Sequence, residues 1–226
     1  MDPEIRKGEK IVDKVHQYIK SLYPARSELA DEMAEYARIH EVPIMETEGI
    51  ETLLQLLRVQ NPARILEIGT AIGYSAVRMA EALPQTQVVS IERDPVRAKL
   101  AREFVQKSGF QDRIHLLEGD ALEISEEVSS FGLFDAAFID AAKSQNIRFF
   151  EMYEQYFTDD VTVYTDNVLF KGLVAEQTGN ESRNVRQMLR KLDRFNQWIA
   201  ANEDYHTVIL PVGDGLTISK KSKPFQ

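Results

Sequence analysis

From Asn61-Pro62 onward the chain alternates short apolar runs with stretches of helical periodicity, and few folds accept that pattern. The runs are Arg64-Ile65-Leu66-Glu67-Ile68, Gln87-Val88-Val89-Ser90-Ile91-Glu92, Ile114-His115-Leu116-Leu117, Phe134-Asp135-Ala136-Ala137-Phe138-Ile139 and Val161-Thr162-Val163-Tyr164-Thr165. Each has the length of a strand, and a helix fits between each pair. Such repetition predicts right-handed crossovers and a parallel sheet covered on both faces. Tyr74 to Leu83 has helical spacing; Asp94-Pro95 opens another helix with a capping side chain and a first-turn proline, and Gly109 stops it. A long helix from about Arg183 to Ala201 precedes Thr207-Val208-Ile209-Leu210 and Leu216-Thr217-Ile218, which flank the turn Gly213-Asp214-Gly215. Strands joined so tightly run antiparallel. The expected fold is α/β: a Rossmann-like, seven-stranded, mostly parallel sheet with an antiparallel last strand inserted beside the sixth, and helices on both faces.

The first sixty residues read as a helical extension. Ile11, Val15, Tyr18, Ile19 and Leu22 recur at helical steps, as do Leu29, Met33, Tyr36 and Ala37, then Ile50, Leu53, Leu54 and Leu57. Pro24 and Pro43 separate these segments. There is no repeat, low-complexity tract or Gly/Ser linker, so the expectation is one domain over 1–226, with helices in 1–60 and the core in 61–226. A hydrophobic content of 43% over 226 residues is enough for a sizeable core. Lys and Arg number 27 against 36 Asp and Glu, a net charge of −9, which excludes a generally basic nucleic-acid binder but leaves room for a local patch. With no cysteine, disulfides, thiolate metal sites and cysteine nucleophiles are all excluded. Met1-Asp2-Pro3-Glu4 is unlike a secretory signal, and no apolar run approaches the ~20 residues of a membrane span. The expectation is a cytoplasmic protein without a membrane partner.

The first strand runs into Glu67-Ile68-Gly69-Thr70-Ala71-Ile72-Gly73-Tyr74-Ser75. Glycines four apart at a strand-to-helix turn permit a tight bend and close approach of a ligand to the backbone. Glu92 ends the second strand nineteen residues past Gly73, where an acid commonly takes ribose hydroxyls. The three-glycine dinucleotide pattern is absent, because position 71 is alanine, and position 67 adds a carboxylate that suits a cationic ligand better than a pyrophosphate. S-adenosylmethionine, with an adenosine, an ammonium, a sulfonium and no phosphate, answers that charge pattern better than NAD. Asp120, in Glu118-Gly119-Asp120-Ala121 after the third strand, is then placed near the adenine amine, and Ser75 near the ligand carboxylate.

Asp140 ends the fourth strand and Asp166-Asn167 the fifth. Ligand crevices of open α/β sheets lie outside the strands' carboxyl ends, so these side chains are expected to converge. Two carboxylates and an amide oxygen form a hard set that favours Mg²⁺ or a similar ion over zinc. Lys143, three residues past Asp140, returns to the same side; beside a divalent cation its ammonium is disfavoured, which fits a general base.

Together these residues resemble the catechol-type, cation-dependent O-methyltransferases that use S-adenosylmethionine. The matching motifs are Glu67-x-Gly69-x-x-x-Gly73-Tyr74-Ser75, Glu92, Asp140-Ala141-Ala142-Lys143 and Asp166-Asn167, over roughly residues 40 to 220. Val42-Pro43-Ile44-Met45, Phe138-Ile139-Asp140-Ala141-Ala142-Lys143, Asp166-Asn167-Val168-Leu169-Phe170-Lys171-Gly172 and Pro211-Val212-Gly213-Asp214-Gly215 look more closely like the bacterial tRNA 5-hydroxyuridine methyltransferases, which make 5-methoxyuridine at the wobble position. The resemblance implies Asp140, Asp166 and Asn167 as metal ligands, Asp140 and Lys143 as catalytic, and Met45, Glu67, Gly69, Ser75, Glu92, Asp120, Ala121 and Asp140 around the cofactor. It also implies a homodimer. Ser144 departs from the family pattern, which has glycine after the lysine.

The partner expected on this reading is the tRNA anticodon loop, with a small catechol or phenylpropanoid as the alternative. Arg183, Arg186, Arg190, Lys191 and Arg194 on the late helix, with Lys220, Lys221 and Lys223, are the cations available for phosphates. Phe170 and Trp198 are candidates for base stacking, with Trp198 reading more readily as a core residue. The four histidines, His16, His40, His115 and His206, are scattered and read as structural.

Overall fold

The computed structural model describes residues 14–176, 179 and 181–222, so Ile11 and Lys223 of the sequence reading lie outside the described residues. After a helical segment over 14–21 come α1 (Glu28–Ile39), α2 (Thr47–Gln60), β1 (Arg64–Ile68), α3 (Tyr74–Ala82), β2 (Gln87–Glu92), α4 (Pro95–Ser108) and β3 (Ile114–Glu118). Then follow α5 (Ser125–Ser129), β4 (Phe134–Ile139), α6 (Asn146–Tyr153), β5 (Phe157–Thr165), α7 (Arg183–Ala200), β6 (Tyr205–Leu210) and β7 (Leu216–Lys221). The seven strands form one sheet in the order β3-β2-β1-β4-β5-β7-β6. β1 to β5 pair in parallel, and β7 slots between β5 and β6, antiparallel to both. That is the Rossmann-like arrangement expected from the alternation.

Successive strand residues feed two cores. Ile65, Val88, Ala136, Phe138 and Tyr164 face α1 to α4, burying Met33, Leu53, Leu54, Val77 and Phe104. Leu66, Val89, Ala137, Ile139 and Val163 face α5, α6 and α7, burying Val128, Phe149, Tyr153, Phe195 and Ile199. At about 1.5–3 kcal/mol for each large apolar side chain removed from water, this double burial is what holds the strands as a central layer. The N-terminal helices belong to the first core: buried Arg78 of α3 meets Glu51 of α2 at 2.8 Å, and Arg26 donates to Tyr74 Oη at 3.4 Å.

Local signals behave as their chemistry dictates. Asp94 caps α4 by accepting from Val96 N and Arg97 N, and Gly109 ends it at φ +75°. Two strand starts differ from the sequence reading. β5 starts at Phe157 rather than Val161, because Phe157 pairs with Phe134 across a register irregularity that lets polar Thr158-Asp159-Asp160 stay in the strand. β6 begins at Tyr205, whose buried ring packs edge-on against Phe150 at 4.9 Å. In the 14–21 segment and the residue after it, Val15, Tyr18, Ile19 and Leu22 are all exposed. Among the described residues no helix is long and apolar enough to cross a membrane.

Candidate active site

The carboxyl ends of β1 to β5 open onto one cavity of about 330 Å³. Gly69 makes this mouth possible. It sits at φ +104°, and a Cβ there would lie 2.2 Å from the Asp140 carbonyl oxygen, so only glycine lets the β1 and β4 tips touch. Ala71 occupies the left-handed region at φ +48°, uncommon for a residue with a side chain, and its N–H is held by Glu92 Oε2 at 2.8 Å. Glu92 Oε1 accepts from Asp94 N at 2.9 Å, so both oxygens are anchored at the cavity wall, each with a lone pair left over. Asp120 accepts from Leu122 N at 2.9 Å, and Tyr153 Oη donates to the Ala121 carbonyl at 2.7 Å, fixing the loop after β3. Gly69, Glu92, Asp120, Ala121, Asp140, Lys143 and Asn167 all line the cavity.

Three residues expected at the cofactor lie elsewhere. Glu67 is fully buried and is absent from the cavity wall. Its carboxylate accepts from Ser75 Oγ and Ser90 Oγ, and Ser90 also contacts Thr70 Oγ1. Burial pushes its pKa up to about 7, opposed by the hydroxyl donors and helped by the charge of Glu92. Glu67 anchors the glycine turn from beneath, and Ser75 is committed to that anchor rather than directed at a ligand. Met45 is buried with its Cε near Gly49, while its neighbours Pro43 and Ile44 reach the wall. Strand alternation decides the case of Glu67: Glu67 follows Leu66 onto the opposite face, under the first turn of α3.

The tips of β4 and β5 adjoin. Ile139 is opposite Thr165, so Asp140 and Asp166 leave neighbouring strands side by side. Asp140 N bonds to Ile68 O at 2.9 Å and Asp166 N to Ile139 O at 3.1 Å, extending the ladder one residue past each strand. Burial raises the pKa of both carboxyls; the Lys143 charge opposes this at each, and the Asp140 charge adds to the rise at Asp166. Asn167 follows at φ +64°, donates its amide to Asp166 Oδ2, and presents Oδ1 to the Lys143 ammonium. Burial pulls the Lys143 pKa down against the pull of the nearby acids, and the Phe170 ring centroid lies 5.4 Å from its Nζ. Two mutually repelling carboxylates with an amide oxygen beside them make an all-oxygen set that fits a hard divalent cation. Among the described residues, no cluster of three or more His, Cys, Asp or Glu side chains offers a rival metal centre. Ser144 lies in a 3₁₀ turn with no positive φ, so serine costs that turn nothing.

Other features were not visible in the sequence. Arg93 and Arg97 line the same cavity. Asp214, read only as part of a turn, lies close enough for its charge to act on both Asp140 and Lys143. A second groove of about 450 Å³ shares Ala141, Ala142 and Lys143 with the cavity and is walled by Asn184, Gln187, Met188 and Lys191 of α7. Their spacing puts them on one helical stripe, a signal that was available. Arg183, Arg186, Arg190 and Arg194 are exposed beside it. Among the described residues none of Arg183, Arg190, Lys191 or Arg194 forms an ion pair. Phe170 is at the site, whereas Trp198 packs edge-on against Phe150 at 5.4 Å in the second core. His40 lies against Tyr36 and His115 against Phe131, away from the cavity.

Against known proteins, the sequence model of the O-methyltransferase family matches residues 20–222. The chain belongs to the O-methyltransferase family. A caffeoyl-CoA O-methyltransferase of Eucalyptus gunnii is 30% identical over 218 residues, covering 92% of this chain and 88% of the plant protein. A Staphylococcus aureus structure assigned as a caffeoyl-CoA O-methyltransferase is 36% identical, covers 95% of this chain and 99% of its own, and superposes with a TM-score of 0.83. The Bacillus cereus O-methyltransferase solved with SAH is 25% identical, with 92% and 97% coverage and a TM-score of 0.79. The cavity of this O-methyltransferase is therefore the place to look for methyl transfer.

Proposed function

We propose that this chain moves the methyl group of S-adenosylmethionine onto a hydroxyl that has a second oxygen beside it, with Asp140, Asp166 and Asn167 Oδ1 holding Mg²⁺ or a similar ion. The observation that carries this reading is the pairing of Ile139 with Thr165, which brings buried Asp166 alongside Asp140, while Asp140 and Asn167 stand on the wall of the cavity that Glu92 and Asp120 also line. Glu92 takes the ribose hydroxyls on its free lone pairs, and Asp120 faces the adenine amine. When bound, the cation acidifies the acceptor hydroxyl and fixes it through both oxygens for in-line attack. The new C–O bond forms as the C–S bond breaks, and the hydroxyl proton passes to the Lys143 Nζ, whose burial favours the neutral amine. The sulfonium loses its charge as the methyl leaves, so no oxyanion hole is needed.

For the acceptor, the caffeoyl-CoA enzymes among the relatives support a catechol or phenylpropanoid ring, whose adjacent oxygens suit such chelation. A second reading, 5-hydroxyuridine in a tRNA anticodon loop, is favoured by the exposed cations of α7 beside the second groove. In that base the C5 hydroxyl and C4 carbonyl oxygen sit as a catechol pair does. The test is parallel methylation of a free catechol and of tRNA lacking 5-methoxyuridine, with and without divalent ions. Turnover on either acceptor without a divalent ion overturns the mechanism. With Arg186→Glu and Arg190→Glu, collapse of tRNA methylation beside nearly unchanged catechol methylation supports the second acceptor, and equal loss on both counts against these arginines as the phosphate contact. The reading includes a single cytoplasmic domain, since Arg78 and Glu51 lock the N-terminal helices to the core. It also includes a homodimer, for which the exposed Val15, Tyr18, Ile19 and Leu22 offer an apolar face that light scattering can test.

A further inference from the structure

The segment after β5 is held in a conformation that its own residues do not favour. Asn167, Phe170 and Lys171 have φ of +64°, +46° and +53°, three non-glycine residues in the left-handed region within five positions. Backbone of this kind persists where the surroundings over-determine it. Here two elements grip it. From the β6–β7 turn, the Gly215 carbonyl accepts from Val168 N at 3.1 Å, and the Asp214 carbonyl accepts from Leu169 N at 2.8 Å and Phe170 N at 3.2 Å. Gly215, at φ +92°, must be glycine for this approach, because a Cβ would fall 2.5 Å from Leu169 Cγ and 2.8 Å from Leu169 N. From α7, Asn196 Nδ2 donates to the Val168 carbonyl at 2.9 Å. A carbonyl can only accept, so the amide nitrogen must be the atom that faces it.

We infer that Asn196 is a positioning residue: from behind the cavity, with the β6–β7 turn as its counterpart, it holds the Asp166-Asn167 tip in the geometry that receives the cation. Asn196 lines neither the cavity nor the groove beside it. Its Oδ1 is buried without a partner, which costs free energy and leaves the bond to Val168 as the polar contact that orients the amide. Val168 is fully buried and directly follows Asn167, so a shift of its carbonyl turns the Asn167 side chain. The inference rests on the cation-holding role proposed above for Asp140, Asp166 and Asn167.

The test is Mn²⁺ binding followed by electron paramagnetic resonance, on the full chain and on Asn196→Leu and Asn196→Asp, with calorimetry of S-adenosylhomocysteine binding in metal-free buffer. The aspartate is near-isosteric and lacks the donor, so it serves if the leucine variant does not fold. Both substitutions are expected to weaken Mn²⁺ binding about tenfold, the order seen when groups behind metal ligands are removed, with S-adenosylhomocysteine binding unmoved. A parent that binds Mn²⁺ alongside an Asn196→Asp variant of equal affinity overturns the inference and leaves the site reading standing. A parent that does not bind Mn²⁺ overturns both.

Discussion

The two halves of the cavity mouth use carboxylates in opposite ways. On the β1–β3 side, Glu92 and Asp120 are anchored by backbone N–H groups, and Glu67 sinks out of reach under two hydroxyls. Acceptors fixed this way can read a neutral sugar or base edge without needing a counter-charge. On the β4–β5 side, Asp140 and Asp166 stand together with pKa values raised by burial, that of Asp166 also by the charge of Asp140, and the backbone beside them is twisted into the left-handed region. That half is left electrostatically unfinished, which is what the cation proposed above would relieve. Rigidity marks one side; on the other, carboxylates are crowded together.

Substitutions at four residues test that contrast, in descending order of effect. Asp166→Ala should lower divalent-dependent turnover about 10³-fold, matching the several kcal/mol a metal contributes, with S-adenosylhomocysteine affinity kept. In calorimetric melting at neutral pH without metal, Asp166→Asn should raise Tm, since a repelling carboxylate is removed. A fall in Tm would erase the difference between the halves. Glu67→Gln comes next. The native pKa near 7 exceeds the ordinary 4.5, so the folded protein keeps a proton that the unfolded chain releases as pH rises between those values. Stability of the parent therefore declines through that window, by about 3 kcal/mol if the whole shift is expressed, while the glutamine variant is spared. Urea unfolding at pH 4.5 and pH 8 should show the gap opening; a constant gap would mean that Glu67 is charged in the fold. Lys143→Met should lower kcat about 10²-fold, within the usual range for a general base, and flatten the alkaline dependence of the rate. Smallest is Glu92→Gln, which keeps one anchored oxygen and should weaken S-adenosylhomocysteine binding about tenfold, the value of one charge-assisted hydrogen bond.

Most of the fold could be read from the alternation after Asn61, because strands buried on both faces carry unbroken apolar runs. The antiparallel pairing of β6 and β7 followed from turn length; the place of β7 between β5 and β6 did not. The site divided differently. Asp140, Asp166, Asn167 and Glu92 were legible because a parallel sheet brings strand ends to one edge. Glu67 and Ser75 were misplaced because a motif gives the residue type but not the face, and here the acid turns inward. Asp214 and Asn196 carried no local signal: the contacts of Asp214 form when β7 enters beside β5, and that of Asn196 when α7 packs over the loop after β5. Trp198 packs in the second core as its sequence reading favoured, whereas packing alone brings Phe170 to the mouth.

The insertion of β7 between β5 and β6 has a consequence for the order of assembly. On the ribosome, β1 to β5 emerge first and can pair as a sheet, but the clamp over Val168 and Leu169 waits for residues 205–221 to clear the exit tunnel. The loop after β5 is thus complete in sequence well before it is held in shape, and a stop codon between β5 and Asp214 leaves Val168, Leu169 and Phe170 without the carbonyls that fasten them.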